Sequence, residues 1–166
     1  MSQIPGAILL AIRPAERGDA QTLTTLMHQS SAYAGAYASI LDGYAITPDQ
    51  IDNDIFYVAD LDAAIAGFYS LTLGDEPELD LMFIADHAQG TGLGAELFQH
   101  MTAEARRRGI ASITIVSHPP SVGFYQRMGA TIVGTKAPNM KARWERPILR
   151  LVISEPGVVS DASGKL

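Results

Sequence analysis

Gln89-Gly90-Thr91-Gly92-Leu93-Gly94 is the stretch on which the fold reading turns. Behind it, Leu93, Leu97, Met101 and Ala105 recur at four-residue spacing through Arg108, the signature of one helical face. Gly109 then stands where a C-terminal glycine cap belongs. The first amides of a helix have no partner within it and lie at the positive end of its dipole. Glycines at 90, 92 and 94 carry no Cβ to hold an anion away, so the turn reads as an anion site at a helix start. A plainer reading also fits: a glycine turn that lets helix and strand pack closely.

Two phosphate ligands compete at this point. Gly90-Thr91-Gly92-Leu93-Gly94-Ala95 satisfies the dinucleotide fingerprint G-x-G-x-x-A. Three features count against it. Ala85–Gln89 separates the glycines from the preceding strand. The unit lies past the middle of the chain. The next strand ends Val116-Ser117-His118, without the acidic residue that a ribose requires. A nucleotide P-loop is excluded more firmly, because no Gly-Lys-Ser/Thr follows.

Outward from the turn, Glu78–Ile84 is a strand that begins by alternating acidic and apolar residues. Upstream of it, Phe56–Ala59 and Ala63–Leu73 form a hairpin about Leu61-Asp62, and Gly74–Pro77 is a turn. Ile8–Arg13 is a first strand ended by Pro14. Asp19 is the expected N-cap of a helix whose apolar face is Leu23, Leu26 and Met27. Ser30–Tyr44 reads as helix or loop, and Pro48 opens a short helix through Asn53. Downstream, Ser112–Val116 is a β-branched strand and Ser121–Met128 a short helix, and Thr131–Thr135 and Pro147–Ile153 are closing strands. This order, β-α-α-β-β-β-α-β-α-β-β, describes one α/β or α+β domain, a mixed sheet with helices packed on it. The domain is expected over residues 1–154, with a loose tail from Glu155 to Leu166.

The 166 residues carry a net charge of −6, which argues against a sequence-blind nucleic-acid binder. It suits a cationic acceptor through long-range steering. There is no cysteine, so thiolate nucleophiles and disulfides are absent and a reducing cytoplasm is the expected compartment. The N-terminus shows no secretory pattern, and no apolar run is long enough to cross a membrane. Histidines 28, 87, 100 and 118 are scattered without ligand spacing, so no metal is expected.

With these elements in order, the sequence resembles the GCN5-related N-acetyltransferases, the GNAT family. That family carries Q/R-x-x-G-x-G/A between its fourth strand and third helix, matched here by Gln89-Gly90-Thr91-Gly92-Leu93-Gly94. Its second signature, a polar residue followed by Phe-Tyr and a glycine on a short helix, corresponds to His118 through Ala130. Phe124-Tyr125 and Gly129 match, and His118 replaces the usual Asn or Asp. The resemblance spans roughly residues 8 to 153. It implies a central, mostly antiparallel mixed sheet of about seven strands with helices on both faces. It also implies acetyl-CoA as cofactor. The pantetheine would lie along Met82-Phe83-Ile84 and the pyrophosphate at Gln89, Gly90, Thr91, Gly92, Leu93, Gly94 and Ala95, with Ser121, Phe124 and Tyr125 completing the site.

The resemblance makes Tyr125 the acid that protonates the departing thiolate. The attacking amine must itself lose a proton, since a lysine-type amine is charged at pH 7. Glu78 and Asp80, two apart on one strand, share a face by alternation, and Asp80, lying deeper, is the preferred base. Both also read as a solvated pair at a strand start. Tyr33 and Tyr37 are candidate acceptor contacts, or ordinary packing residues. The segment Asn139–Arg146, with Lys141, Arg143, Trp144 and Arg146, is placed to reach the acceptor or a second subunit, leaving a homodimer open. The function expected is acetyl transfer from acetyl-CoA to a primary amine of a small molecule or peptide. A CoA-binding sensor without catalysis and a dinucleotide-dependent oxidoreductase are the alternatives.

Overall fold

The computed structural model describes residues 9–33 and 35–153. The readings made for the N-terminus and for the tail from Glu155 lie outside those residues. Seven strands form one sheet in the order β1-β2-β3-β4-β5-β7-β6. They are β1 Leu10–Pro14, β2 Ile55–Leu61, β3 Ala64–Thr72, β4 Glu78–Ile84, β5 Ser112–Val116, β6 Thr131–Lys136 and β7 Arg146–Val152. All neighbours are antiparallel except β4 and β5.

Helices α1 (Ala20–Gln29) and α2 (Pro48–Asn53) cover one face, and α3 (Leu93–Arg107) and α4 (Val122–Arg127) cover the other. Two cores result. Leu23, Leu26, Met27 and Ile51 meet Val58, Phe68, Leu81 and Phe83 on the first face. Leu93, Leu97, Phe98, Met101 and Ala105 meet Tyr69, Leu79, Ile113 and Leu149 on the second. The four-residue spacing of α3 is thus the stripe that it buries. Among the described residues no helix is long and apolar enough to cross a membrane.

Some boundaries differ from the sequence reading. The hairpin turn is Asp62-Ala63, both at positive φ (52° and 70°), one residue later than expected. Asp19 precedes α1 but makes no side-chain cap there. Its carboxylate instead accepts the Glu16 amide at 2.7 Å and the Arg13 guanidinium at 2.9 Å, and Arg13 reaches Asp60 as well. The half-buried guanidinium makes a charge-assisted bond, the stronger kind, and holds the carboxylate on the Glu16 side. The ambiguous Ser30–Tyr44 stretch forms two 3-10 turns, Ser31–Tyr33 and Gly35–Leu41.

The pairing of β4 decides where a site forms. On its β3 side Ser70 opposes Leu81 while Leu71 opposes Leu79, so Asp80 is the extra residue of a β-bulge. The bulge puts Leu79 in the α3-side core and Leu81 in the α1-side core, which strict alternation forbids. On its other side β4 pairs with β5 only at Glu78–Thr114 and Leu79–Ile115. Beyond these two pairs the strands part, leaving the β4 edge from Leu81 to Ile84 unpaired by β5.

Candidate active site

The opening between β4 and β5 holds two cavities that meet. The first, about 440 Å³, lies against the glycine turn and is lined by Ile84, Gln89, Gly90, Gly92, Gly94, Ala95, Ser121, Phe124 and Arg127 among others. The second, about 270 Å³, is lined by Glu78, Asp80, Tyr44, Ile115, Ser117, Lys136 and Arg146 among others. Tyr33, Met82, Phe83, His118 and Tyr125 line both, and therefore mark the junction.

The glycine turn is built for approach rather than for packing. Gly90 and Gly92 have φ of 77° and 88°, a region that favours glycine, and a Cβ added to either would meet no atom within 4 Å. Close contact between helix and strand therefore does not explain them. Gly94 differs, since its Cβ would touch Phe124 at 3.5 Å. Gly92 caps α3, whose first amides open towards the cavity without a side-chain cap. The Gln89 side chain donates to the Ile84 carbonyl at 3.1 Å and ties the turn to the end of β4. Two expected residues contribute no lining side chain. The Thr91 hydroxyl donates inward to the Ala88 carbonyl at 2.6 Å, and Leu93 is buried in the core.

At the junction Tyr125 packs against Phe98 and Phe124. Burial, and then the neighbouring Tyr33, push its phenol above the usual tyrosine value, so it is protonated at neutral pH. Burial alone pushes Tyr33 up to about 12. Tyr33 stacks on His118 with ring centroids 4.2 Å apart. His118 is 4% exposed, its Nε2 donates to the Ala32 carbonyl at 3.1 Å, and burial lowers its pKa despite that bond. It is therefore a neutral imidazole that fastens the start of α4 to the Ser31–Tyr33 turn. The second motif marked this position by its departure from Asn or Asp, but not this role.

Glu78 and Asp80 both face the smaller cavity. The surrounding protein, then Glu78, then Asp54, raise the Asp80 carboxyl above its ordinary value and make it a stronger base. Tyr37 lines neither cavity. It packs edge-on against His118 and Trp144 and supports the junction from behind. Of the segment Asn139–Arg146, the Lys141 ammonium donates to the Asp42 carbonyl and its carbonyl accepts the Ser39 hydroxyl, so the segment folds over the second 3-10 turn. Arg146 lines the smaller cavity.

Residues 20–137 match the model of the acetyltransferase (GNAT) domain. The chain belongs to the GNAT acetyltransferase family. Membership sets the dinucleotide alternative aside. A curated relative, the 5-NmdU N-acetyltransferase of Pseudomonas phage PaMx11, is 35% identical over 47% of this chain. The chain spans 58% of that relative's length. Among solved structures, the ribosomal-protein-S18-alanine N-acetyltransferase of Escherichia coli superposes with a TM-score of 0.69, at 18% identity, over 91% of this chain and 98% of its own. The PaiA N-acetyltransferase of Thermoplasma acidophilum, in complex with coenzyme A, gives 0.70 at 18% identity over 87% and 99%. At these identities the superpositions speak for the fold.

Proposed function

We propose that the chain transfers the acetyl group of acetyl-CoA directly to a primary amine of a small molecule or peptide. The observation that carries this reading is the pair of glycines whose Cβ positions face open space, at an uncapped helix start, in a cavity continuous with the split between β4 and β5. A diphosphate fits that cradle. Acetyl-CoA would supply a thioester, an activated acyl group whose sulfur leaves as a thiolate. Gly90, Gly92, Gly94 and Ala95 would hold the pyrophosphate, and the unpaired β4 edge at Met82–Ile84 would hydrogen-bond the pantetheine as an added strand.

The residues of the chain supply proton traffic. Asp80, with Glu78 beside it, takes the proton from the amine, directly or through one water. Tyr125 holds a proton at the junction and gives it to the sulfur. The chain contains no cysteine to carry the acetyl group, which favours transfer in one ternary complex. The curated phage relative supports N-acetylation as the chemistry.

Binding of CoA must stabilise the native state. At 100 times its Kd, CoA is expected to add about 2.7 kcal/mol and raise Tm by about 5–11 °C. No shift at millimolar CoA refutes the cofactor assignment.

A further inference from the structure

Arg146 opens β7 and pairs in register with Lys136 at the end of β6. It is 8% exposed. A guanidinium keeps its proton in proteins, so this is a permanent cation removed from water, a state that is costly unless an anion meets it. Yet its Nε and Nη2 are both buried, and neither hydrogen-bonds any group among the described residues. These nitrogens form one edge of the guanidinium, the edge that takes two oxygens of a carboxylate or phosphate side by side. Arg146 and Lys136 line the smaller cavity and not the cavity at the glycine turn, so the cofactor does not account for them. The other buried polar atoms without partners, the Ser70 hydroxyl and the Trp144 indole N–H, are neutral and line neither cavity.

The smaller cavity is thus lined by charges of both signs. Glu78 and Asp80 stand on the β4 wall, and Arg146 and Lys136 on the β6–β7 wall. A simple cationic amine would leave Arg146 without a counterion and place a like charge before it. The net charge of −6 attracts cations to the surface as a whole, but this cavity carries two cations of its own, Arg146 and Lys136.

We propose that the acceptor is an amine that also bears an oxyanion, a carboxylate or a phosphate, and that Arg146 receives the oxyanion while the amine faces Asp80 and Tyr125. This rests on the smaller cavity being the acceptor site. A volume of about 270 Å³ calls for a compact molecule or a chain end.

The test uses matched amines: β-alanine against β-alaninamide, 4-aminobutyrate against 4-aminobutyramide, and phosphoethanolamine against ethanolamine. CoA release is followed with a thiol reagent, to which the cysteine-free chain adds no background. In at least one pair the oxyanion-bearing member should have kcat/KM higher by about tenfold or more, since a hydrogen bond to a charged group is worth about 1.5–3 kcal/mol. The first two pairs report a carboxylate and the third a phosphate. Arg146→Gln should bring the two members of each pair to similar kcat/KM, and Arg146→Lys should restore only part of the preference. The Tm of ligand-free Arg146→Met should hold or rise, because an uncompensated buried charge is removed; a structural role would lower it. Equal or better turnover of every neutral member by the wild type, or a preference that survives Arg146→Gln, overturns the inference. If CoA does not bind, the acetyltransferase reading itself fails. If CoA binds but no pair turns over, calorimetry of the CoA-loaded chain with the same six compounds decides. Binding confined to oxyanion-bearing members and lost in Arg146→Gln upholds the inference, and equal or absent binding refutes it.

Discussion

Replacing Tyr125 with Phe separates catalysis from packing. The ring contacts to Phe98 and Phe124 survive the change. The hydroxyl has no hydrogen-bond partner among the described residues, so its removal breaks no bond within the fold. Stability should therefore move by no more than about 0.5 kcal/mol, or about 2 °C in Tm. The catalytic effect should be much larger. General acids contribute about 10²–10⁴-fold. Burial raises the phenol above the ordinary tyrosine value near 10, whereas a free thiol titrates near 8.5, so transfer to a fully formed thiolate runs uphill. The lower end of the range then applies, a fall in kcat of about 10²-fold, or about 2.7 kcal/mol. The assay is initial-rate CoA release at saturating amine, with CoA affinity measured separately by calorimetry. The wild type should show no loss of its acid form below about pH 10, the ordinary tyrosine pKa, because the shift is upward. A variant with kcat within about threefold of the wild type refutes the acid assignment. A variant whose Tm falls by more than about 4 °C assigns Tyr125 to packing instead.

Three further expectations follow from the same structure. A Cβ at Gly67 would lie 2.9 Å from Ile84 Cδ1, 3.0 Å from Leu97 Cδ1 and 3.0 Å from the Phe83 carbonyl. The side chains can yield but the paired strand cannot, so Gly67→Ala should cost about 1–3 kcal/mol, lower Tm by about 2–12 °C and weaken CoA binding through Ile84; an unchanged melting curve contradicts this. Asp80 has a folded pKa raised above 3.8, by burial first and then by Glu78 and Asp54, so its ionised form costs stability. That cost is absent below the unfolded pKa and complete above the folded one, so Asp80→Asn should be more stable than the wild type at pH 7, match it near pH 3, and lose activity; lower stability at pH 7 would be the wrong sign. Asp19 runs the opposite way: burial alone would raise it, but Arg13 and the Glu16 amide outweigh burial and hold it below 3.8. Its contribution is present above that value and lost as pH falls through the lowered pKa, so Asp19→Asn should be less stable at pH 7 and flatten the acid limb of Tm against pH.

Much of this was written along the chain. The anion-binding turn depends on consecutive residues, glycines followed by a helix, and its chemistry is that of main-chain amides close in sequence. The α3 stripe, the capping glycine at 109 and the order of strands and helices are likewise local patterns, and they appear where periodicity put them. Other features have no local cause. Alternation alone would put Leu79 and Leu81 on one face, and the bulge at Asp80 separates them, because β3 fixes the register. Asp19 has the sequence of a helix cap, yet Arg13 and Glu16 take its carboxylate. Tyr37 and Tyr33 look alike in sequence, but one props His118 from outside the cavity while the other lines it. Arg146 is one of several cations in a basic segment, and only the folded chain buries it in the cavity that Glu78 and Asp80 also line, with its Nε and Nη2 unpartnered among the described residues. Main-chain dipoles are oriented by the local backbone, so sequence can announce them. The state of a charged side chain depends on which distant groups and how much water surround it, and only the folded chain determines that.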